Sequence, residues 1–419
     1  MRRPLLIVFI ITILMSVIYT NIKTYNNLHN DEKVQLVGTI ENKKEKQKYD
    51  EYKIDMFLVR DYSKKKDIKV GSKVIIKGKF KALDEMNQKD FNYGRYLKST
   101  GYKGLIYINS YEVIGKNNIY SILGNIKDYI RNTNRYLYKK NSDFINSLIL
   151  GEKEQLDIDE KEMFSKTGTS HVIAISGLHT GILCVLISFI IGGINKVYKL
   201  IILVIIMIFY SIMIGSTPSI TRSIFFTAIL YISVFTDRKR DGISTLSLIG
   251  IFLIINNPYI IYNISFQLSF LATLSIIYFY GYINKMINIS IISLTLASNI
   301  LTLPVIYYNF KGIPIISVIS NIIIVPFIGI IIYMSITSLI LFKINITIAK
   351  CVAYFNYTII NSIYFLLNKL SELGFAYMEI DNPSKFYVII YYIAVFLYMI
   401  YKELKVMKEQ KNELQGYYK

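Results

Sequence analysis

Cysteine and histidine are nearly absent from this sequence, and each absence removes a class of protein. The two cysteines, Cys184 and Cys351, both lie in apolar segments, so no disulfide framework supports the polar N-terminal region. The three histidines, His29, His171 and His179, form no HxHxD, HExxH or paired CxxC pattern, so neither a metal nor another cofactor is expected. No Walker A sequence occurs, so ATP-driven work falls to another protein. Charge is sparse as well: 18% of residues are Asp, Glu, Lys or Arg, against about 25% in an ordinary soluble domain.

What is present is apolar and segmented. Hydrophobic residues make up 53% of the chain and the mean hydropathy is +0.38. Crossing the roughly 30 Å hydrocarbon core takes about 20 mostly apolar residues in a helix. One such run follows Met1-Arg2-Arg3-Pro4, with no small-x-small cleavage site after it, so residues 1–20 read as an uncleaved first span. Further runs lie at roughly 171–193, 200–215, 219–236, 243–256, 264–283, 287–308, 315–342, 345–369 and 386–401. The expected fold is therefore a polytopic α-helical membrane protein of about ten spans.

Residues 31–118 differ from the rest. Val34–Ile40, Tyr52–Val59, Lys73–Phe80 and Gly104–Ile108 alternate apolar with polar residues between Gly or charged turns, the pattern of short strands. With one short helix around Phe91–Lys98, they fit an all-β, OB-like barrel inserted outside the cytoplasm. Between Asp31 and Lys116 there are 20 Lys and Arg against 13 Asp and Glu, an excess of about +7. Residues 119–168 read as amphipathic helices, at the membrane surface or beneath the insert. A multi-span domain over 169–402 and a cytoplasmic Lys-rich tail over 403–419 complete the chain.

The net charge of +19 has two plain sources, an AT-rich codon bias and the collection of Lys and Arg in cytoplasmic loops. The remainder suggests an anionic partner. The loop Asp237-Arg238-Lys239-Arg240-Asp241 and the tail fall on one side, and the uncharged Ser216-Thr217-Pro218 and the segment Met378–Lys385 on the other. The positive-inside rule then puts both termini in the cytoplasm of a multi-pass cell-membrane protein.

Polar residues inside apolar runs are the candidate functional groups, because ionisable side chains at membrane depth usually face a wet cavity or a polar partner. His171, Ser176, Gly177, His179 and Gly181 open one run, and the two glycines are spaced to let another backbone approach. The plainer reading places His171 at the interface and gives His179 a capping role. Arg222, Gln267, Ser269 and Asn321 stand in later runs, with snorkelling or an interhelical hydrogen bond as the plain alternatives. Pro304, Pro314 and Pro326 break helices and free polar groups.

In order, Leu150-Gly151-Glu152, the block Gly168–Leu183, Pro218-Ser219 with Arg222, Phe266–Ala272, Leu303-Pro304 and Asn321 with Pro326 resemble the membrane domain of the ComEC-type competence proteins. The insert resembles that family's external domain through Phe91–Leu97 and Gly101–Gly104. The resemblance implies a channel component that passes one DNA strand across the cytoplasmic membrane in natural transformation, not an enzyme. His171, Ser176, Gly177, His179, Gly181, Arg222, Gln267, Ser269 and Asn321 would line the path, and Phe91, Tyr93, Arg95 and Tyr96 would bind single-stranded DNA on the insert. Besides single-stranded DNA and membrane lipids, the implied partners are an external DNA receptor, a cytoplasmic ATP-driven helicase and further copies of the chain in a homo-oligomer. Many relatives add a metallo-β-lactamase-like domain; its histidines are absent here, so a nuclease would be a separate protein. Relatives often carry cysteines in the external domain, and this insert has none. Two rival readings are a transporter of another anion, such as a lipid or polyphosphate, and an intramembrane hydrolase using Ser176 with His179 or His171.

Overall fold

The computed structural model describes residues 4–22, 30–46, 48–63, 68–86, 92–215, 218–235 and 241–417. Phe91, the loop residues 216–217 and the basic stretch 236–240 lie outside them.

Helix α1 (Pro4–Asn21) begins on a proline, which suits the first helical turn because its missing N–H has no partner there anyway. Its Ser16 hydroxyl donates to the Pro258 carbonyl (2.6 Å), fixing the helix to the later bundle.

Five strands follow: β1 (Lys33–Glu45), β2 (Asp50–Ile54), β3 (Phe57–Asp61), β4 (Ser72–Lys81) and β5 (Gly104–Lys116), with α2 (Tyr93–Ser99) before the last. They close into a barrel in the order β1-β2-β3-β5-β4, with β3 and β5 parallel and the other pairs antiparallel. The apparent single run Tyr52–Val59 is a hairpin, turned at Asp55, which adopts a positive φ of 50°. Alternation puts Ile40, Tyr52, Ile54, Val59, Val74, Ile76, Phe80 and Ile106 inside. Register shifts at Ile40/Asn42, Lys73/Val74 and Lys77/Gly78 bend the strands, which closing so few of them requires. Gly78 sits at one of these crossings, where a Cβ would lie 2.3 Å from the Tyr107 carbonyl oxygen.

The barrel leads into α3 (Asn118–Tyr138), α4 (Ser142–Leu150), α5 (Ile158–Lys166) and the short α6 (Ser170–Ile173). Helices α3 and α5 each keep one face out. Helix α4 is buried along almost its whole length, so it is a core helix and not a surface one. Its Phe144 stacks on Phe164 and meets Tyr364 edge-on.

The remaining helices are α7 (Gly177–Ile190), α8 (Lys196–Ile214), α9 (Pro218–Phe235), α10 (Gly242–Asn256), α11 (Ile264–Ile287), α12 (Ser290–Phe310), α13 (Ser317–Ile344), α14 (Ile346–Ser371) and α15 (Lys385–Tyr417). Two short strands, β6 (Gly312–Pro314) and β7 (Tyr377–Glu379), pair antiparallel. Ten of the fifteen helices correspond to the expected spans, but six described segments are long and apolar enough to cross: α1, α8, α11, α12, α13 and α15 up to Lys405. Helices α7 and α10 and the apolar part of α9 are shorter. A 14-residue helix such as α7 extends only about 21 Å. Helix α14 has the length but carries Lys350, Asn356, Asn361, Asn368 and Lys369. Its Asn356 amide donates to the Tyr138 hydroxyl, the Ile331 carbonyl and the Ser335 hydroxyl, a polar knot joining α3, α13 and α14.

Pro304, inside α12, removes the N–H that the Ile300 carbonyl would otherwise accept from. The Tyr391 hydroxyl of α15 donates there instead (2.9 Å), and Tyr392 donates to the next carbonyl, Leu301 (2.8 Å). Ser275 of α11 donates to the Ala297 carbonyl, closing the same three-helix contact.

Candidate functional site

The start of α7 is built by its own sequence. Ser176 is extended (φ −130°, ψ 179°), and its hydroxyl accepts from the Leu178 amide at 3.3 Å. His179, three residues on, returns the contact: its Nδ1 accepts from the Ser176 amide at 3.3 Å and lies 3.2 Å from Ser176 Oγ. This is a capping box with histidine in the place usually held by Glu or Gln. Accepting at Nδ1 leaves the proton on Nε2, which is buried with no partner among the described residues. No carboxylate among those residues contacts the ring, so nothing orients the pair as a general base. His171, on α6, is exposed.

Arg222 comes one turn after the start of α9. Its guanidinium donates to the Ser269 carbonyl and, at 2.5 Å, to the Thr273 hydroxyl, so it bridges to α11 instead of snorkelling. Its Nε is buried, with no partner among the described residues. A Cβ on Gly177 would sit 3.5 Å from Arg222 Nη2 and 3.2 Å from Ser223 Oγ, so the missing side chain brings the α7 N-terminus against the guanidinium. Two positive features, a helix N-terminus and an arginine, thus meet with no carboxylate among the described residues between them. Such a place favours an anion or its water.

Other expected path residues lie elsewhere. The Gln267 amide folds back to the Ile261 carbonyl (2.8 Å), on the turn before α11. Asn321 Nδ2 reaches Thr295 Oγ1 at 3.5 Å, joining α13 to α12, and its Oδ1 is buried without a partner among the described residues. Gly181 corrects an expectation: a Cβ there would meet nothing within 4 Å, so it admits no neighbouring backbone. Ser176, Gly177, Arg222 and Ser269 are brought together, and Gln267 and Asn321 are held in separate contacts.

The insert residues are also redistributed. Arg95 stacks on the Tyr262 ring (4.5 Å) and Lys98 on Tyr259 (5.0 Å). Asn257 donates to the carbonyls of Lys98 and Ser99. Helix α2 is therefore one element that docks the barrel on the bundle, and β1 is another, through Asn42 and Lys44. The Tyr93 hydroxyl accepts from Arg60, whose guanidinium also lies over the Tyr93 ring (5.3 Å). Tyr96 remains exposed.

A buried ion cluster where β1 meets α3 escaped the sequence reading. Glu152 accepts from Arg131 through both oxygens (2.5 and 3.0 Å) and lies 3.3 Å from Lys127 Nζ, with Asn42 of β1 at 3.5 Å from that ammonium. Burial raises the Glu152 carboxyl, but the Arg131 bonds and the Lys127 charge outweigh it and hold the group below its ordinary range. Burial dominates at Lys127 and lowers its ammonium despite Glu152. The available signal was the i, i+4 pair Lys127 and Arg131 on one face of α3.

A cleft of about 1810 Å³ separates the β1–β2 turn from α4, α5 and α14. Lys46, Lys48 and Tyr49 line the barrel wall, Asp143 and Asp157 the helical wall, and Ser170 lies at its edge. Arg222, Gln267 and His179 do not line it.

Residues 148–405 match the competence protein family. A stretch of 213 residues is 29% identical to ComE operon protein 3 of Bacillus subtilis (strain 168), covering 50% of this chain and 27% of that protein. The chain thus spans about a quarter of the length of the curated relative it matches. No solved structure matches.

Proposed function

The chain belongs to the competence protein family, and from that premise we propose that it is a channel component carrying single-stranded DNA across the cytoplasmic membrane in natural transformation. The observation that carries the reading is the pairing of Arg222 with the α7 N-terminus inside the family-matched region. A path for a phosphate chain needs positive groups at membrane depth that no protein carboxylate neutralises. In this reading both termini are cytoplasmic. The barrel is an OB-like platform on the outer face, and its strand order and excess of Lys and Arg suit single strands. An external receptor would deliver DNA, and a cytoplasmic ATP-driven helicase would pull it.

Deleting the gene from a transformable host should abolish transformation while DNA still binds at the cell surface. Normal transformation in the deletion strain would sink the reading. A transporter of another anion is the second reading, because the Arg222 site recognises charge and not bases. Liposomes containing the protein, challenged with labelled oligonucleotide and with polyphosphate, separate the two.

A further inference from the structure

The barrel carries a second surface, bordering α2 at Tyr93 but built on the strands, on which rings and lysines are ordered by strand register. Arg60 of β3 pairs with Tyr107 of β5, Tyr107 with Lys79 of β4, and Lys79 with Lys33 of β1. Directly paired residues lie side by side on one face. Lys77, two positions before Lys79 and likewise exposed, points the same way. Beyond the end of β3, the Tyr62 ring stands 6.0 Å from that of Tyr107 and 5.0 Å from that of Tyr49. Tyr49 is backed by the Arg60 guanidinium at 4.7 Å, which Glu51 holds in place.

We infer that this face, Tyr49, Tyr62 and Tyr107 flanked by Lys33, Lys77 and Lys79, is where a single nucleic-acid strand is held before it reaches the helices. The inference rests on the single-strand reading above and moves its binding surface from α2 to β3, β4 and β5. Two independent observations point to the same ligand. Lys33 and Lys79 are paired directly across β1 and β4, an arrangement that destabilises a sheet unless an anion lies over it. Neither makes an ion pair among the described residues, and both are exposed. The three rings form a chain of planar faces, Tyr62 being 55% exposed, of the kind on which bases stack without regard to sequence. Lysines alone would suit any anionic surface; lysines beside a ring platform suit a polymer of phosphates and bases. The stripe also leads somewhere. Tyr49 and Lys46 line the 1810 Å³ cleft, whose edge at Ser170 precedes the Ser176 turn and α7.

The test uses the full-length protein in detergent or nanodiscs and a fluorescent oligo-dT, with anisotropy read across a salt series. Tyr62→Ala should weaken binding about 5- to 100-fold, Tyr62→Phe should bind as wild type, and Tyr96→Ala on α2 should change little. The double variant Lys77→Gln/Lys79→Gln should flatten the slope of log affinity against log salt by about 1.4. Thermal unfolding of each variant checks that the fold is kept. If wild type binds the oligonucleotide and these variants bind it equally well, this surface is wrong and the single-strand reading stands. If wild type binds no oligonucleotide at low salt, both are wrong. If Tyr62→Ala loses binding to anionic lipid vesicles but not to oligo-dT, the face is a membrane contact and the inference is overturned.

Discussion

Glu152 accepts from Arg131 and sits beside Lys127 where little water can replace it. Glu152→Gln should lower stability by about 3–5 kcal/mol in chemical unfolding, because it strands buried cations. Adding Lys127→Met should restore part of that loss, a coupling that a double-mutant cycle measures. The sign of the pH dependence follows from the depressed carboxyl. Above its ordinary value of 4.5 the contribution is complete, and it disappears as pH falls through the lower folded-state value, so the midpoint of unfolding should drop on acidification below about 4.5. At the α7 cap, Ser176→Ala should cost about 1 kcal/mol, and the wild-type protein should take up no fluorophosphonate label. Arg222→Gln should reduce transformation about tenfold or more with the protein still in the membrane. Arg222 and Ser176 were legible as polar residues in apolar runs. Their partners were not, since the Ser269 carbonyl and the Thr273 hydroxyl depend on how α9 and α11 are set against each other. Arg95 was legible in its chemistry but not in its neighbour: an arginine among tyrosines is equally suited to bases and to a protein ring, and the ring beside it is Tyr262.

Among the elements, α12 and α15 make the clearest mechanical unit. The Tyr391 hydroxyl of α15 supplies the donor that Pro304 takes away from α12, and Tyr392 bonds the next carbonyl. Tyr391→Phe/Tyr392→Phe should weaken the pair by about 0.6 kcal/mol per hydroxyl, seen as faster hydrogen exchange in α12 around Ile300. Asn257→Ala should loosen α2 from the bundle and expose the junction to protease without unfolding the barrel. Most strands were readable, because period-two alternation is a local property of Val34–Ile40 and Lys73–Phe80. The β2–β3 hairpin was not, because Asp55 accepts a positive φ and the apolar alternation runs straight through the turn. Helix α4 was misread for a related reason. Its charges precede it on Lys139 and Lys140 and open it at Asp143, and its buried Asn146 and Ser147 give no sign of burial in sequence.

For the whole molecule, hydropathy located the helices but overstated how many of them are long enough to cross alone. Membrane-impermeant labelling of single cysteines should modify one placed at Lys77 from outside intact cells and one placed at Lys239 only after the membrane is opened; labelling of Lys239 from outside would reverse the proposed orientation. The bond between α12 and α15 also sets an order of events during synthesis. The end of α12 is synthesised about 80 residues before Tyr391. Until α15 arrives, the Ile300 carbonyl has neither its helix donor nor its tyrosine. This part of the bundle therefore stays unfinished, and open to insertion factors or to water, until α15 has been made.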